Sequence, residues 1–213
     1  MKHCVLYIFV LLFTITLCNA QELRFEAGVG YTYKKFDIAF ESQLRKPSFI
    51  KNELLVLLEA EVEYEIMNRL NFEVGYRFKT NIAEFYPESS IDYNNKHRFA
   101  FELSYSLPRF DNDIKLKNAL RYQINLSESG KQNYYFRNEF ELNYKITRIL
   151  KPYIAPSIYY NINKRTFSEI RIELGNELEF GRNSMTIFYV IETYFSRADR
   201  TNYIVGVSYS IGF

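Results

Sequence analysis

From residue 23 to Phe213, apolar and polar side chains alternate with a period of two. Leu23, Phe25, Ala27, Val29, Tyr31 and Tyr33 are interleaved with Arg24, Glu26, Gly28, Gly30 and Thr32. Lys34-Lys35 then reads as a two-residue hairpin turn, and the apolar phase resumes at Phe36, Ile38, Phe40 and Leu44. A third segment sets Leu54, Val56, Leu58, Ala60, Val62, Tyr64 and Ile66 against Glu53, Glu59, Glu61, Glu63 and Glu65. A fourth sets Leu70, Phe72, Val74, Tyr76 and Phe78 against Glu73, Arg77 and Lys79. Segments near 98–107, 114–126, 134–146, 152–162, 169–180, 185–195 and 203–213 behave alike. Alternation over such lengths is the mark of strands with one apolar and one polar face. It predicts eleven strands, nearly all of 9–13 residues.

Charge sorts with the phase. No Lys, Arg, Asp or Glu falls on the apolar phase of these segments, while the opposite phase carries 28 charges, 17 acidic and 11 basic. One face of the whole sheet therefore lies in surroundings that exclude charge. The connections also alternate: Lys34-Lys35, 67–69, 108–113, 147–150 and 181–183 are short, whereas 46–52, 80–95, 127–133, 163–166 and 196–202 are mostly longer and more polar. Short turns on one rim and longer loops on the other is the build of an outer-membrane barrel. The fold expected is all-β: a single antiparallel up-and-down transmembrane β-barrel of about 10–12 strands, with short periplasmic turns and longer extracellular loops. Bacterial barrels of this kind have even strand numbers. Eleven segments thus leave either ten passes with residues 23–33 as an extra strand, or a twelfth strand beyond those read.

A soluble lipocalin-like barrel would alternate equally well with its apolar phase turned inward. Three features favour the membrane. Strands of this length match tilted membrane-spanning strands rather than the five or six residues usual in soluble sheets. Tyr33, Phe36, Tyr64, Tyr105, Tyr144, Phe180, Tyr209 and Phe213 gather near the short-turn rim. Tyr76, Phe78, Phe99, Tyr122, Tyr134, Phe136, Tyr160 and Tyr203 gather near the loop rim. Two such belts are what the two membrane–water interfaces select. Finally, Tyr209, Ile211 and Phe213 end the chain on the apolar phase, resembling the terminal signal that barrels present to their insertion machinery.

The first twenty residues stand apart. Met1-Lys2-His3, the apolar run Val5–Leu17 and Cys18-Asn19-Ala20 have the layout of a signal peptide cleaved after Ala20, leaving residues 21–213 as the barrel domain. The apolar run is shorter than a membrane-spanning helix requires. Both cysteines, Cys4 and Cys18, lie in this segment, so the mature chain is expected to lack disulfides and thiol chemistry. The destination implied is the outer membrane of a Gram-negative bacterium. A formal net charge of +2 offers no basic surplus for nucleic acid. The 19 Tyr and 19 Phe favour strands over disorder.

Candidate chemistry is sparse. The mature chain has one histidine, His97, and the next residue on its face is Phe99, whereas Ser104 and Ser106 lie on the opposite phase. The His–Ser pair of a lipid-modifying enzyme is therefore not expected. Glu59, Glu61, Glu63 and Glu65 form a carboxylate ladder with successive members roughly 7 Å apart, too far for neighbours to share a small cation unaided. Neither a metal nor a cofactor is expected. These glutamates, with Glu173, are expected to pair across the lumen with Arg77, Arg98, Lys117, Arg121, Arg137 and Arg171, because unpaired interior charge is costly. The acidic excess predicts a cation preference in whatever path remains. Phe85-Tyr86-Pro87, in the longest connection, is the candidate loop contact. The expected role is a narrow channel for a small solute or ion, or a structural or surface-contact barrel. The expected partners are the outer-membrane bilayer with its lipopolysaccharide, and the insertion machinery. The alternatives are a lipid-modifying enzyme and a soluble periplasmic lipocalin-like binder.

Several phrases bear on family. Lys96-His97-Arg98 opens a strand after a long loop, and Tyr135-Phe136-Arg137-Asn138 enters the next long strand. Lys151-Pro152-Tyr153-Ile154 follows a short turn, and Arg171-Ile172-Glu173-Leu174-Gly175 completes the set. Together they resemble a family of small bacterial outer-membrane proteins known as domain of unknown function 2490. The resemblance spans most of the mature chain and implies an outer-membrane barrel without implying an activity.

Overall fold

The computed structural model describes residues 20–47, 54–82, 95–108, 113–195 and 200–213. Among them are eleven strands: β1 (Glu22–Tyr33), β2 (Phe36–Lys46), β3 (Leu54–Met67), β4 (Leu70–Ile82), β5 (Lys96–Ser106), β6 (Ile114–Ser127), β7 (Gln132–Tyr144), β8 (Leu150–Asn161), β9 (Thr166–Phe180), β10 (Asn183–Tyr194) and β11 (Arg200–Gly212). Each pairs with its neighbours in sequence, and β1 pairs with β11 to close the barrel. Strands run from 11 to 15 residues. That is longer than the alternation indicates, because polar ends such as Lys96, Asn183 and Arg200 continue the ladder beyond the last apolar position.

The barrel closes with eleven strands, the number the alternation predicts and within the expected ten to twelve, so the even number usual in bacterial barrels does not hold here. Residues 22–33 are a full barrel strand. An odd number of alternating passes leaves the first and last strands running the same way. The closing seam is therefore parallel, from Glu22 opposite Ile204 to Gly30 opposite Gly212, while the other seams are antiparallel. Gln21 N–H donates to the Tyr203 carbonyl at 2.7 Å, and Phe213 N–H to the Gly30 carbonyl at 2.9 Å, extending the seam at both ends. The start of β1 thus lies on the loop rim and the end of β11 on the turn rim.

The tight turns use left-handed backbone, at Lys34 (φ 57°), Arg69 (φ 76°) and Gly181 (φ 68°). This is the conformation two-residue hairpins need to match strand twist. In the β7–β8 turn, Thr147 Oγ1 accepts the N–H groups of Ile149 and Leu150.

The apolar phase faces outward: Phe25, Phe40 and Phe140 are 57%, 57% and 61% exposed. Cross-strand aromatic pairs run along both rims of this outer surface. Phe36 and Tyr64 lie at 4.8 Å near the turns, and Tyr76–Phe99 at 5.1 Å and Tyr122–Phe136 at 5.3 Å lie toward the loops. The interior is polar but not uniformly so. Phe188, Val190 and Ile204 form a buried apolar patch on the inner face of β10 and β11. Two glycines serve as seats for inner aromatic rings. Phe188 stands opposite Gly206, and Tyr153 opposite Gly175. A Cβ added at Gly206 would lie 2.2 Å from the Phe188 ring, and one at Gly175 would lie 2.4 Å from Tyr153.

Gly206→Ala should therefore displace the Phe188 ring and destabilise the barrel by about 1–3 kcal/mol, the usual range for overpacking. Gly30→Ala, where the nearest atom lies 4.0 Å away, should be near neutral. Urea unfolding of the two variants side by side checks this, and equal midpoints would contradict the ring-seat account.

Candidate functional site: a charge-sorted lumen

Seven arginines from seven strands converge on the middle of the barrel: Arg24, Arg45, Arg77, Arg98, Arg121, Arg137 and Arg171. With Glu26, Glu41, Glu59, Glu61 and Glu173 they line a cavity of about 320 Å³. Period-two geometry delivers them, because each occupies the inner phase of its strand at a similar height.

Arg121 is the hub of one cluster. It reaches Glu102 at 2.5 Å, Glu73 at 2.8 Å and Glu61 at 3.9 Å. Arg137 shares Glu102 at 3.2 Å and lies 3.7 Å from Glu139. A second cluster straddles the closing seam. Arg24 binds Glu22 at 2.5 Å and Glu192 at 3.2 Å, and Arg171 binds Glu173 at 2.7 Å and approaches Glu192 at 3.9 Å. Glu192 on β10 thereby ties β1 to β9 across β11. Glu173 also accepts the Tyr153 hydroxyl at 2.7 Å. Arg77 grips Glu59 through Nε at 2.8 Å and through Nη2.

Of the residues singled out from the sequence, Glu59, Glu61, Arg77, Arg121, Arg137, Arg171 and Glu173 join ion pairs. Glu63 instead accepts Asn71 Nδ2 at 2.6 Å, and Arg98 donates to Asn125 Oδ1 at 3.0 Å. Among the described residues, Glu65 and Lys117 lie on the inner phase without an ion pair. Arg24, Glu73, Glu102 and Glu192 are further network members, while Arg45 donates to Gln43 Oε1. Their inner-phase parity was readable, but the register that brings them together was not. Phe85, Tyr86 and Pro87 lie outside the described residues. Tyr209 and Ile211 occupy the outer phase of β11, and Phe213 closes the turn-rim end of the seam.

The charges are also sorted along the barrel axis. Reading from the loop rim toward the turns, Arg45 precedes Glu41 and Asp37 on β2, and Lys79 and Arg77 precede Glu73 on β4. Lys96 and Arg98 precede Glu102 on β5, Arg137 precedes Glu139 and Glu141 on β7, and Arg171 precedes Glu173, Glu177 and Glu179 on β9. The loop half is thus mainly basic, with Glu22, Glu169 and Glu192 as exceptions, and the turn half mainly acidic, with Lys115 and Lys117 of β6 among its exceptions. Near the turns, Asp113, Glu141, Glu177 and Glu179 line a cavity of about 370 Å³ with Lys115, Lys145 and Lys151.

His97 lies on the outer surface, its Nδ1 2.8 Å from the Tyr76 hydroxyl and its ring against Tyr76 and Phe78. Ser104 is buried on the opposite face of the same strand, so the two do not meet. Among the described residues, no group of three or more His, Cys, Asp or Glu side chains is disposed to hold a metal ion.

Arg121→Gln should strip the principal cation from Glu102 and Glu73 and destabilise the barrel by about 3 kcal/mol, as when a buried ion pair loses one partner. Glu61→Gln removes only a 3.9 Å contact and should cost about 1 kcal/mol or less. Denaturant titration distinguishes them, and equal losses would argue against Arg121 as the hub.

Comparison with curated proteins gives no match. Among solved structures, the anion-selective porin from Comamonas acidovorans is similar, with a TM-score of 0.38 and 9% identity over 82% of this chain and 52% of the porin. The chain thus spans about half the length of that porin. The family model described as "Protein of unknown function (DUF2490)" matches residues 22–204, in accord with the motifs at Lys96, Tyr135, Lys151 and Arg171. The chain belongs to the DUF2490 family.

Proposed function

We propose that this chain is an integral outer-membrane barrel whose lumen is a narrow, charge-lined water path for small ions. Residues 1–20 act as the export signal, and residues 21–213 span the membrane with short turns in the periplasm and longer loops outside. The observation that carries this reading is the outer surface. Among the described strand residues, Lys46, at the loop end of β2, is the only Lys, Arg, Asp or Glu on the outward phase, and apolar side chains dominate the rest, interrupted by neutral residues such as Ser42, Asn118 and Asn138. A water-facing surface has no reason to exclude charge so completely, whereas lipid does. A soluble lipocalin-like binder would need this apolar phase inside, and it lies outside. Strand length supports the same placement. About 12 residues at roughly 3.3 Å each, tilted near 40°, cover about 30 Å, the thickness of a bilayer's hydrocarbon core. In this placement Tyr209, Ile211 and Phe213 present β11 to the insertion machinery from the periplasmic side, and the start of β1 reaches the external rim.

The acidic excess of the inner phase is the basis for a cation preference. The axial sorting confines that preference to the turn half, because the loop half is basic. Such a bipolar path enriches anions at one end and cations at the other. Current that drives both toward the middle should be larger than current that draws them apart.

In a planar bilayer, small steps are expected that carry more current when the periplasmic side is positive. Equal currents at both polarities, or anion selectivity throughout, would contradict the bipolar lumen. The membrane placement has its own check. Leu174→Arg, midway along β9, should disfavour insertion by about 2–4 kcal/mol, and Val56→Arg, near the loop end of β3, by about 1 kcal/mol or less. Refolding of Leu174→Arg into lipid vesicles as readily as the unaltered chain would contradict it.

A further inference from the structure

The loop half of the lumen contains a cavity of about 380 Å³ to which Arg45, Arg77, Lys79, Lys96, Arg98 and Lys131 contribute and no described carboxylate does. Among the described residues the ion-pair network reaches it at one point only. Arg77 alone of these six is paired with a described carboxylate, Glu59. Arg45 directs Nε and Nη2 to Gln43 Oε1 at 3.0 and 2.5 Å, and Arg98 directs Nε to Asn125 Oδ1 at 3.0 Å. Neutral amides fix the direction of these two guanidinium groups without neutralising them.

The register compounds the charge. Arg77 lies directly opposite Arg98, and Lys79 directly opposite Lys96. On the other side of β3, Arg45 lies opposite Arg24. Like charges directly opposite each other in a sheet repel, and natural sheets ordinarily avoid them. The glutamate ladder of β3 could have supplied the missing negative charge. At this height, however, β3 carries Leu55 and Leu57, with Leu57 facing Gln43 and Lys79. A barrel that pairs much of its interior charge elsewhere leaves five cations here, Arg45, Lys79, Lys96, Arg98 and Lys131, without an ion pair to a described carboxylate. Glu22, Glu169 and Glu192 line a second loop-side cavity that shares Arg45, Lys79 and Arg98, but they are bound to or stand beside Arg24 and Arg171.

We infer that this cavity binds a multiply charged oxyanion, such as a phosphate or a phosphorylated group. Arg45 and Arg98 would be its principal donors, and Lys79 and Lys96 would supply further positive charge. Guanidinium groups held by amides keep N–H pairs free for bidentate contact with such oxygens. Free phosphate and a phosphorylated lipid headgroup share this chemistry. The inference rests on the closed lumen and not on the membrane placement, since the barrel in detergent has the same interior.

The test uses the purified chain in detergent at low ionic strength. Inorganic pyrophosphate is titrated by calorimetry, and phosphorylated lipid A in mixed micelles is titrated in parallel. Binding of either probe, weakened at least tenfold in the Arg45→Gln/Arg98→Gln double variant and unchanged in Lys115→Gln on the turn side, is the expected result. Pyrophosphate binding would identify a free solute as ligand, and lipid A binding alone would identify a headgroup. A second readout guards against misfolding. The double variant should be at least as heat-stable as the unaltered chain without the probe, because repulsion is relieved, and should lose the stabilisation the probe confers. Binding that is absent for both probes, or equal in the two chains, would overturn the assignment.

Discussion

A charge held away from water needs a partner, and the cost of leaving it without one accounts for both faces of this barrel. Outside, where the proposed placement puts lipid, the solution is exclusion: the charged strand residues apart from Lys46 turn inward, and mainly aromatic and aliphatic side chains cover the surface. Inside, the solution is pairing, with Arg24, Arg121 and Arg171 each bound to more than one carboxylate. Side chains as polar as Glu102 and Arg24 are thereby buried to 4% and 3% exposure. What would be a hydrophobic core in a soluble domain is here a network of ions crossing between strands that their backbone ladders already join.

Closure supplies the second constraint. A sheet with an unpaired edge would leave its backbone groups unsatisfied, and pairing β1 with β11 removes that edge. With eleven strands the seam is parallel, a geometry slightly less favourable per residue than the antiparallel one. The reinforcement around it follows from that. Arg24 and Glu192 bridge across β11, Phe188 lies over Gly206, and Val190 and Ile204 are fully buried beside it. The inner apolar patch is thus a structural device of the seam, and it occupies wall that the charge network leaves free.

Fold and sidedness were legible because period-two alternation is strong in most strands, from Phe25 on β1 to Leu174 on β9. It weakens in Phe188–Ile191, where both phases are apolar, and there the inner patch at Phe188 and Val190 went unread. The eleven strands were legible too, and only the even-number rule set residues 23–33 in question. The parallel seam that an odd count requires depends on closure, which no local pattern encodes. Single members of the lumen network, such as Arg121 and Glu61, could be named from phase alone. Their partners, the sorting of bases toward the loops and the like-charge pairs Arg77–Arg98 and Lys79–Lys96 depend on register between strands. Turn length and tertiary closure fix that register, and a single chain read in order does not display it.

The central claim is that the outer surface faces lipid and the inner surface faces water, and spin labels along one strand test it most directly. Single cysteines would be placed in turn at positions 58 to 63 of β3 in a chain lacking Cys4 and Cys18. The refolded protein in vesicles would then be probed by dissolved oxygen and by a water-soluble nickel chelate. The account predicts strict alternation, with labels at 58, 60 and 62 relaxed by oxygen and labels at 59, 61 and 63 relaxed by the chelate. Equal access of the chelate to both sets would contradict it, since the apolar face would then be in water.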